Sequence, residues 1–372
     1  MEKSVLYLPH ELMIEIFLKL PVKSLIRFKC VCKSWFSLIS DPHFANSHFQ
    51  LTTHTHRIMC VSNSPTEFCS IDFEAFLNYD PRLSSLSMNF SLPGSHLPFK
   101  IIGSCRGFIL LYRCRDIFLW NPSTGFKKQI SLSPLVFKLV TNYGYDNLFG
   151  FGYDQSRDDY LVVVLYHDPT VANSFSSHLE FFSIRDNRWK EIEGTHLPSY
   201  DLIYSKGLLF NGVIHWLALR SDLESDLEIK VIVAFDLTER KLFEMPLPSD
   251  YDYEVNLDLG LWVFEEFLSL WVNEDRNDTF EIWVMKEYKL NLSWTKTLIL
   301  PLRYIYLFEP IFSTNNGDII GTSPPSILLK CNYKGRVMRY HPFCNGLFDI
   351  VKYTESLLSV PCDNGQDYKL EE

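Results

Sequence analysis

Several constellations in this chain carry residue types that do chemistry, and each lacks a member. His10-Glu11 has the opening of a helical zinc-protease motif, but position 14 is Ile14, so the second histidine is missing. His54-Thr-His56 could touch a metal, yet it reads more simply as an exposed pair in a polar linker. Asp250, Asp252 and Glu254 alternate like calcium ligands without the glycine and distal glutamate that complete such a loop. Gly150-Phe-Gly152 lacks the third glycine and the helix of a dinucleotide site. No Gly-x-Ser-x-Gly elbow and no phosphate loop occurs. The 9 cysteines include no Cys-x-x-Cys pair and sit mostly in apolar stretches, where a free thiol behaves as a small hydrophobe. The expectation is a non-catalytic chain with no metal and no cofactor.

Charge is the next signal. The 372 residues carry a formal charge of −10, and residues 222–287 hold 18 acids against 5 bases, a net of −13 that leaves the rest at +3. Nucleic acid is a poor fit, because phosphate binding demands a basic face. A cationic protein partner would fit through complementary potential, and a solvated acidic surface kept for solubility fits equally. Hydrophobic residues make up 47% and aromatics 15%, which excludes wholesale disorder. No apolar run nears the ~20 residues of a membrane helix. Acids at Glu2, Glu11 and Glu15 speak against a secretory signal. A soluble protein of the cytoplasm, the nucleus or both is expected.

The elements that must position these residues come in two textures. Residues 1–45 read as three short helices. Leu8-Pro9 opens the first, Leu12, Ile16 and Leu20 form its apolar stripe with Met13 and Phe17 alongside, and Pro21 ends it. Val22, Leu25, Ile26 and Lys29 give a second; Val31, Trp35, Leu38 and Ile39 give a third, stopped by Asp41-Pro42. Helices this short bury no self-sufficient core, so a partner or the neighbouring domain must cover part of the stripe. Residues 46–56 read as a linker.

Residues 57–352 are all-β. Short apolar runs at 107–113, 117–120, 160–166, 179–184, 212–219, 229–235, 267–272 and 280–285 are separated by Gly, Asn, Asp and Pro clusters. A strand ending in an aromatic, a polar turn and a second aromatic recur at 120–126, 182–189, 235–243 and 283–294, with weaker copies near Phe73 and around 329–340. A period near 50 fits a propeller of about six four-stranded blades. A repeated hairpin in another β solenoid or sandwich is the competing fold. In a propeller the long connections 134–148, 167–178, 221–228, 246–256 and 273–278 would share one face. That face would carry Tyr143, Tyr145, Asp222, Glu224, Asp250, Tyr251, Asp252, Tyr253, Glu274 and Asp275, a candidate target-binding set on long loops. Residues 353–372 read as a polar, acidic, mobile tail.

The residues now support a family resemblance. Leu8-Pro-His-Glu-Leu-Met-Ile-Glu-Ile-Phe-Leu-Lys-Leu-Pro21, Ser24-Leu25-Ile-Arg27-Phe and Val31-Cys32-Lys33-Ser-Trp35 closely resemble the F-box motif over about 40 residues. Gly103-Ser-Cys-Arg-Gly107, Trp120-Asn-Pro-Ser-Thr-Gly125 and Gly150-Phe-Gly-Tyr-Asp154 resemble blocks of the plant F-box-associated, kelch-type domain. The Gly-Gly doublets of kelch repeats and the Gly-His and Trp-Asp marks of WD repeats are absent. The resemblance implies a substrate receptor of a Skp–cullin–F-box ubiquitin ligase, docked on a Skp-type adaptor and through it on cullin and RING subunits. Carried over residue by residue, the adaptor-facing set is Leu8, Pro9, Leu12, Ile16, Leu20, Pro21, Leu25, Val31, Cys32 and Trp35, some of which must pack the helices together. The target is an unknown protein, and the acidic face would suit a basic one. S-locus receptors of secreted ribonucleases and receptors of immune or developmental regulators share this architecture. A propeller enzyme or sugar binder with a helical oligomerisation arm, or a non-ligase F-box scaffold, are the alternatives.

Overall fold

The computed structural model describes residues 9–361 apart from 53–54, 63–66, 78–85, 89–98, 114–115, 135, 138–147, 168–176, 193–199, 203–205, 222–227, 250–257, 275–278, 302–306, 315, 324–326 and 343–345. Four helices come first: α1 (His10–Leu18), α2 (Val22–Phe28), α3 (Lys33–Ser40) and α4 (Pro42–Leu51). Pro9 and Pro21 stand just before α1 and α2, where a missing N–H costs nothing. The fourth helix corrects the expected linker at 46–56. Asp41-Pro42 ends α3 but also starts α4: the Asp41 carboxylate accepts the Phe44 N–H at 2.9 Å, and Pro42 takes the first helical position.

Among the described residues, the strands that follow form six antiparallel sheets. Blade 1 holds β1 (His56–Ser62), β2 (Phe68–Asp72) and β3 (Leu86–Met88), with a short α5 (Phe73–Leu77) after β2. Blade 2 is β4 (Lys100–Cys105), β5 (Phe108–Arg113), β6 (Asp116–Trp120) and β7 (Lys127–Ser131). Blade 3 is β8 (Leu148–Asp154), β9 (Asp159–His167), β10 (Ser177–Ser183) and β11 (Arg188–Glu191). Blade 4 has β12 (Tyr200–Leu202) and β13 (Leu208–Phe210) sharing the inner place beside β14 (Val213–Ser221), then β15 (Glu228–Asp236) and β16 (Lys241–Pro246). Blade 5 is β17 (Asp258–Phe264), β18 (Phe267–Glu274), β19 (Thr279–Met285) and β20 (Trp294–Pro301). Blade 6 is β21 (Glu309–Ser313), β22 (Ile319–Ser323), β23 (Ile327–Cys331) and β24 (Val337–Pro342). The last strand, β25 (Leu347–Thr354), returns to blade 1 and pairs with β1 as its innermost strand.

That pairing closes the ring. Every pair of neighbouring blades shares its own apolar cluster, and the cluster between blades 6 and 1 packs Ile58, Phe73 and Phe76 against Phe312, Ile320 and Leu328. The mainly β, six-bladed propeller behind a small helical unit is the expected fold, and the aromatic repeat is its third-to-fourth-strand hairpin.

Closure also fixes which way things face. Antiparallel order sends the first-to-second and third-to-fourth connections of each blade to one face, and the other connections to the opposite face. His56 pairs with Thr354, so the chain enters from the helices, and leaves after β25, on the first face. The five long connections leave strand ends on the second face. Of the candidate target-binding residues, Tyr143, Tyr145, Asp222, Glu224, Asp250, Tyr251, Asp252, Tyr253 and Asp275 lie outside the described residues. Glu274 ends β18, half-buried, opposite Thr279.

The expected mobile tail is corrected over its first part. Tyr353 is buried within β25, and beyond the strand Ser356, Leu357, Leu358 and Val360 are buried too. Apolar residues at 357, 358 and 360 have a core to enter, which the polar composition of the last residues concealed. Among the described residues, no helix is long and apolar enough to cross a membrane.

Candidate adaptor surface and its seat on the propeller

The helical unit sorts its apolar residues into two sets. Phe17, Val22, Leu25 and Ile39 are buried, and Leu25 is 0% exposed, so it packs the unit from within. Trp35 is half-buried, its ring edge-on to Phe17 at 4.9 Å and tilted against Phe28 at 5.3 Å. Leu20 is half-buried; its carbonyl accepts from the buried His48 ring at 2.8 Å and ties α4 to the end of α1. Leu12 and Ile16, one turn apart on α1, remain 47% exposed, and Val31 is 59% exposed. Pro9, Pro21 and Cys32 are exposed at the starts of α1, α2 and α3. Leu8 lies outside the described residues. Phe36, exposed beside Trp35, belongs to the same open apolar set and follows no periodicity that would have marked it.

The covered side of this unit rests on blades 2 and 3. Phe17, Leu25, Ile39 and Phe44 join one apolar cluster with Phe108, Leu110, Phe151, Tyr160 and the late residues Leu357, Leu358 and Val360. The three sequence blocks that resemble the F-box-associated domain meet at this seat. Arg106, in the turn between β4 and β5, lays its guanidinium 4.9 Å from the Phe49 ring of α4 and 4.2 Å from the Tyr153 ring of blade 3. Its Nη2 donates to Asn46 Oδ1 at 3.0 Å. Gly107 follows at φ +86°, and Ser356 fills the space beside it. Asn121 donates from its amide to the carbonyls of Ser356 at 3.3 Å and Leu358 at 3.1 Å, while its own oxygen accepts the Ser123 N–H at 2.9 Å.

In the third block Asp154 is buried between two arginines, Arg240 at 2.8 Å and Arg157 at 2.9 Å. Burial pushes its carboxyl up, but bonds from Ser156 and Arg157 and the Arg240 charge outweigh that and hold it below the usual range. The pair joins blade 3 to the outer hairpin of blade 4.

The axis of the propeller is a cavity of about 590 Å³ lined by inner strands of all six blades. Lys206 and Asp349 form an ion pair across it, and Asp349 also accepts the Ile101 N–H at 2.7 Å. Glu309 faces the same space, exposed to the channel but surrounded by the blades; that enclosure raises its carboxyl above the usual range, Lys206 pulls it down, and Asp349 and Asp258 push it further up. Sequence reasoning missed this channel because its charged members, Lys206, Asp258, Glu309, Asp349 and Lys352, lie far apart along the chain and meet only when the ring closes. Among the described residues, no cluster of three or more His, Cys, Asp or Glu could hold a metal ion.

Comparison with known proteins matches both parts. Residues 5–46 match the F-box domain family, and residues 57–351 match the F-box associated beta propeller domain. The F-box/kelch-repeat protein At3g23880 of Arabidopsis thaliana is 30% identical over 79% of this chain and 79% of its own length. The F-box protein CPR1 of the same plant is 28% identical over 78% of this chain and 72% of its own. The putative F-box protein At5g62660 is 30% identical over 86% of each. With a helical unit that buries Leu25 while leaving Leu12 and Ile16 open, seated on a closed six-bladed ring, the chain belongs to the plant F-box proteins that carry an F-box-associated β-propeller.

Proposed function

We propose that the chain is the substrate-recognition subunit of a Skp–cullin–F-box ubiquitin ligase, itself non-catalytic and acting in the cytoplasm, the nucleus or both. The F-box docks on a Skp-type adaptor through Leu12, Ile16, Val31 and the exposed prolines, with cullin and RING subunits beyond it. The observation that carries the reading is the open apolar stripe of α1 on a module whose opposite side is already buried against the propeller. The target is a protein, and the reading puts it on the long connections of the second face, away from the adaptor. The acidic balance of residues 222–287 suits a basic one.

The test is binding of purified full-length protein to a recombinant plant Skp adaptor, with a Pro9→Ala/Leu12→Ala double variant alongside. Wild type should bind and the variant should bind at least tenfold more weakly, while circular dichroism of the two is the same. A folded wild type that does not bind sinks the reading and directs attention to small ligands of the axial cavity.

A further inference from the structure

We infer that residues 355–360 form a strap that locks the F-box onto the propeller and so fixes the bearing of adaptor to target, with Arg106, Asn121 and Ser356 as positioning residues. The inference rests on the ligase reading for its purpose, although the lock itself is a property of the isolated chain.

Two domains joined by a short connection move relative to each other unless their interface is extensive and apolar. Here only four residues separate the end of α4 at Leu51 from β1 at His56. The strap adds a third body to the contact. Leu357, Leu358 and Val360 are buried in the same cluster as Phe17, Leu25 and Ile39 of the F-box and Phe108 and Tyr160 of blades 2 and 3. Its backbone is held along its length rather than at a point. The Glu355 N–H donates to the Thr55 carbonyl at 3.0 Å, and the Ser356 N–H donates to Ser123 Oγ at 3.2 Å. Asn121 donates to the Ser356 and Leu358 carbonyls, and Ser356 Oγ donates to the Arg106 carbonyl at 3.2 Å.

Arg106 completes the joint from the other side. Its guanidinium lies against one ring of the F-box and one of blade 3, and among the described residues its Nε has no hydrogen-bond partner. Held by ring faces, the Asn46 amide oxygen and the neighbouring Tyr160 hydroxyl, this half-buried charge is oriented without an ion pair among the described residues. A receptor whose adaptor and target sites keep a fixed separation presents the target at a high effective concentration, which free rotation about a four-residue connection would dilute.

The test is a distance measurement on full-length protein by electron–electron double resonance. Nitroxides are carried on non-canonical residues replacing Ser37 of α3 and Glu239 of the β15–β16 turn, both exposed, with native cysteines unlabelled. The expected result is one narrow distribution. Its width should at least double in Leu358→Asp and Asn121→Ala, and in Arg106→Ala but not Arg106→Lys, in protein whose circular dichroism is unchanged. Asn121→Ala removes amide bonds without placing a charge in the core, so it decides the matter if Leu358→Asp does not fold. A broad wild-type distribution, or a width that these variants leave unchanged, overturns the strap. A narrow distribution in a protein that binds no Skp adaptor would instead overturn the ligase reading and leave the lock standing.

Discussion

A Cβ built on Gly107 would fall 1.9 Å from the Ser356 hydroxyl oxygen, so the β4–β5 turn and the C-terminal segment meet where only glycine fits. Gly125, in the β6–β7 turn of the same blade, shares the left-handed backbone at φ +77° but has open space beside it. The two positions therefore separate backbone strain from loss of the strap.

Gly125→Ala should cost about 1 kcal/mol, the price of forcing a side chain into that backbone conformation. Gly107→Ala should cost about 2–4 kcal/mol, because it also expels Ser356. Thermal unfolding of the two variants side by side reads the difference; equal losses would mean that the strap is not seated against the turn.

Leu12 and Leu25 are helical leucines of opposite fate. Leu12→Ala and Ile16→Ala should change stability by no more than about 0.5 kcal/mol, since both side chains already meet solvent. Leu25→Ala should cost about 2–5 kcal/mol, as a fully buried leucine does. Denaturant titration gives the stabilities, and adaptor affinity should move the other way, falling with the first two variants.

His215 gives the propeller a pH dependence. Its ring is buried between blades 4 and 5, with one nitrogen 3.3 Å from the Leu208 carbonyl and the other 2.7 Å from the Tyr288 hydroxyl, and burial holds its pKa down to about 4. The unfolded chain binds a proton near pH 6.5 that the folded chain refuses until about 4, so stability falls as pH drops through that window. The loss is at most about 3 kcal/mol. Lys289 nearby acts in the same direction. The stability difference between wild type and His215→Gln should shift against wild type by about 2 kcal/mol from pH 7 to pH 4.5, and a difference that stays constant with pH would show that the ring does not titrate in this range.

Asp154 and Arg240 join blades 3 and 4 at 2.8 Å with the carboxylate fully buried. Asp154→Asn should cost about 3 kcal/mol, chiefly by stranding the Arg240 charge, which is only 16% exposed. Arg157→Ala should cost far less, because that arginine is 55% exposed and its attraction is screened. Melting temperatures of the two variants would rank them, and a larger loss for Arg157→Ala would contradict the burial argument.

Much of this protein is local and therefore legible in its sequence. Helix starts at Pro9 and Pro21, the i, i+4 spacing of Leu12 and Ile16, and the aromatic–turn–aromatic hairpins each involve residues a few positions apart, so periodicity and turn chemistry carry them. Even the face of the long connections follows from counting strands. Asp41-Pro42 shows the limit of local reading, because one dipeptide both ends α3 and caps α4, and only the chain beyond it says which role matters.

Three things were decided by tertiary structure alone. Whether a leucine of the F-box faces solvent or core depends on where the propeller covers it, which separates Leu25 from Leu12 although both have helical spacing. The ring is closed by β25 meeting β1 across nearly three hundred residues, a pairing no local pattern encodes. And the segment after β25 reads as a polar tail until Arg106, Asn121 and α4 form a groove for it, because burial of Leu357, Leu358 and Val360 is a property of the surfaces that assemble around them.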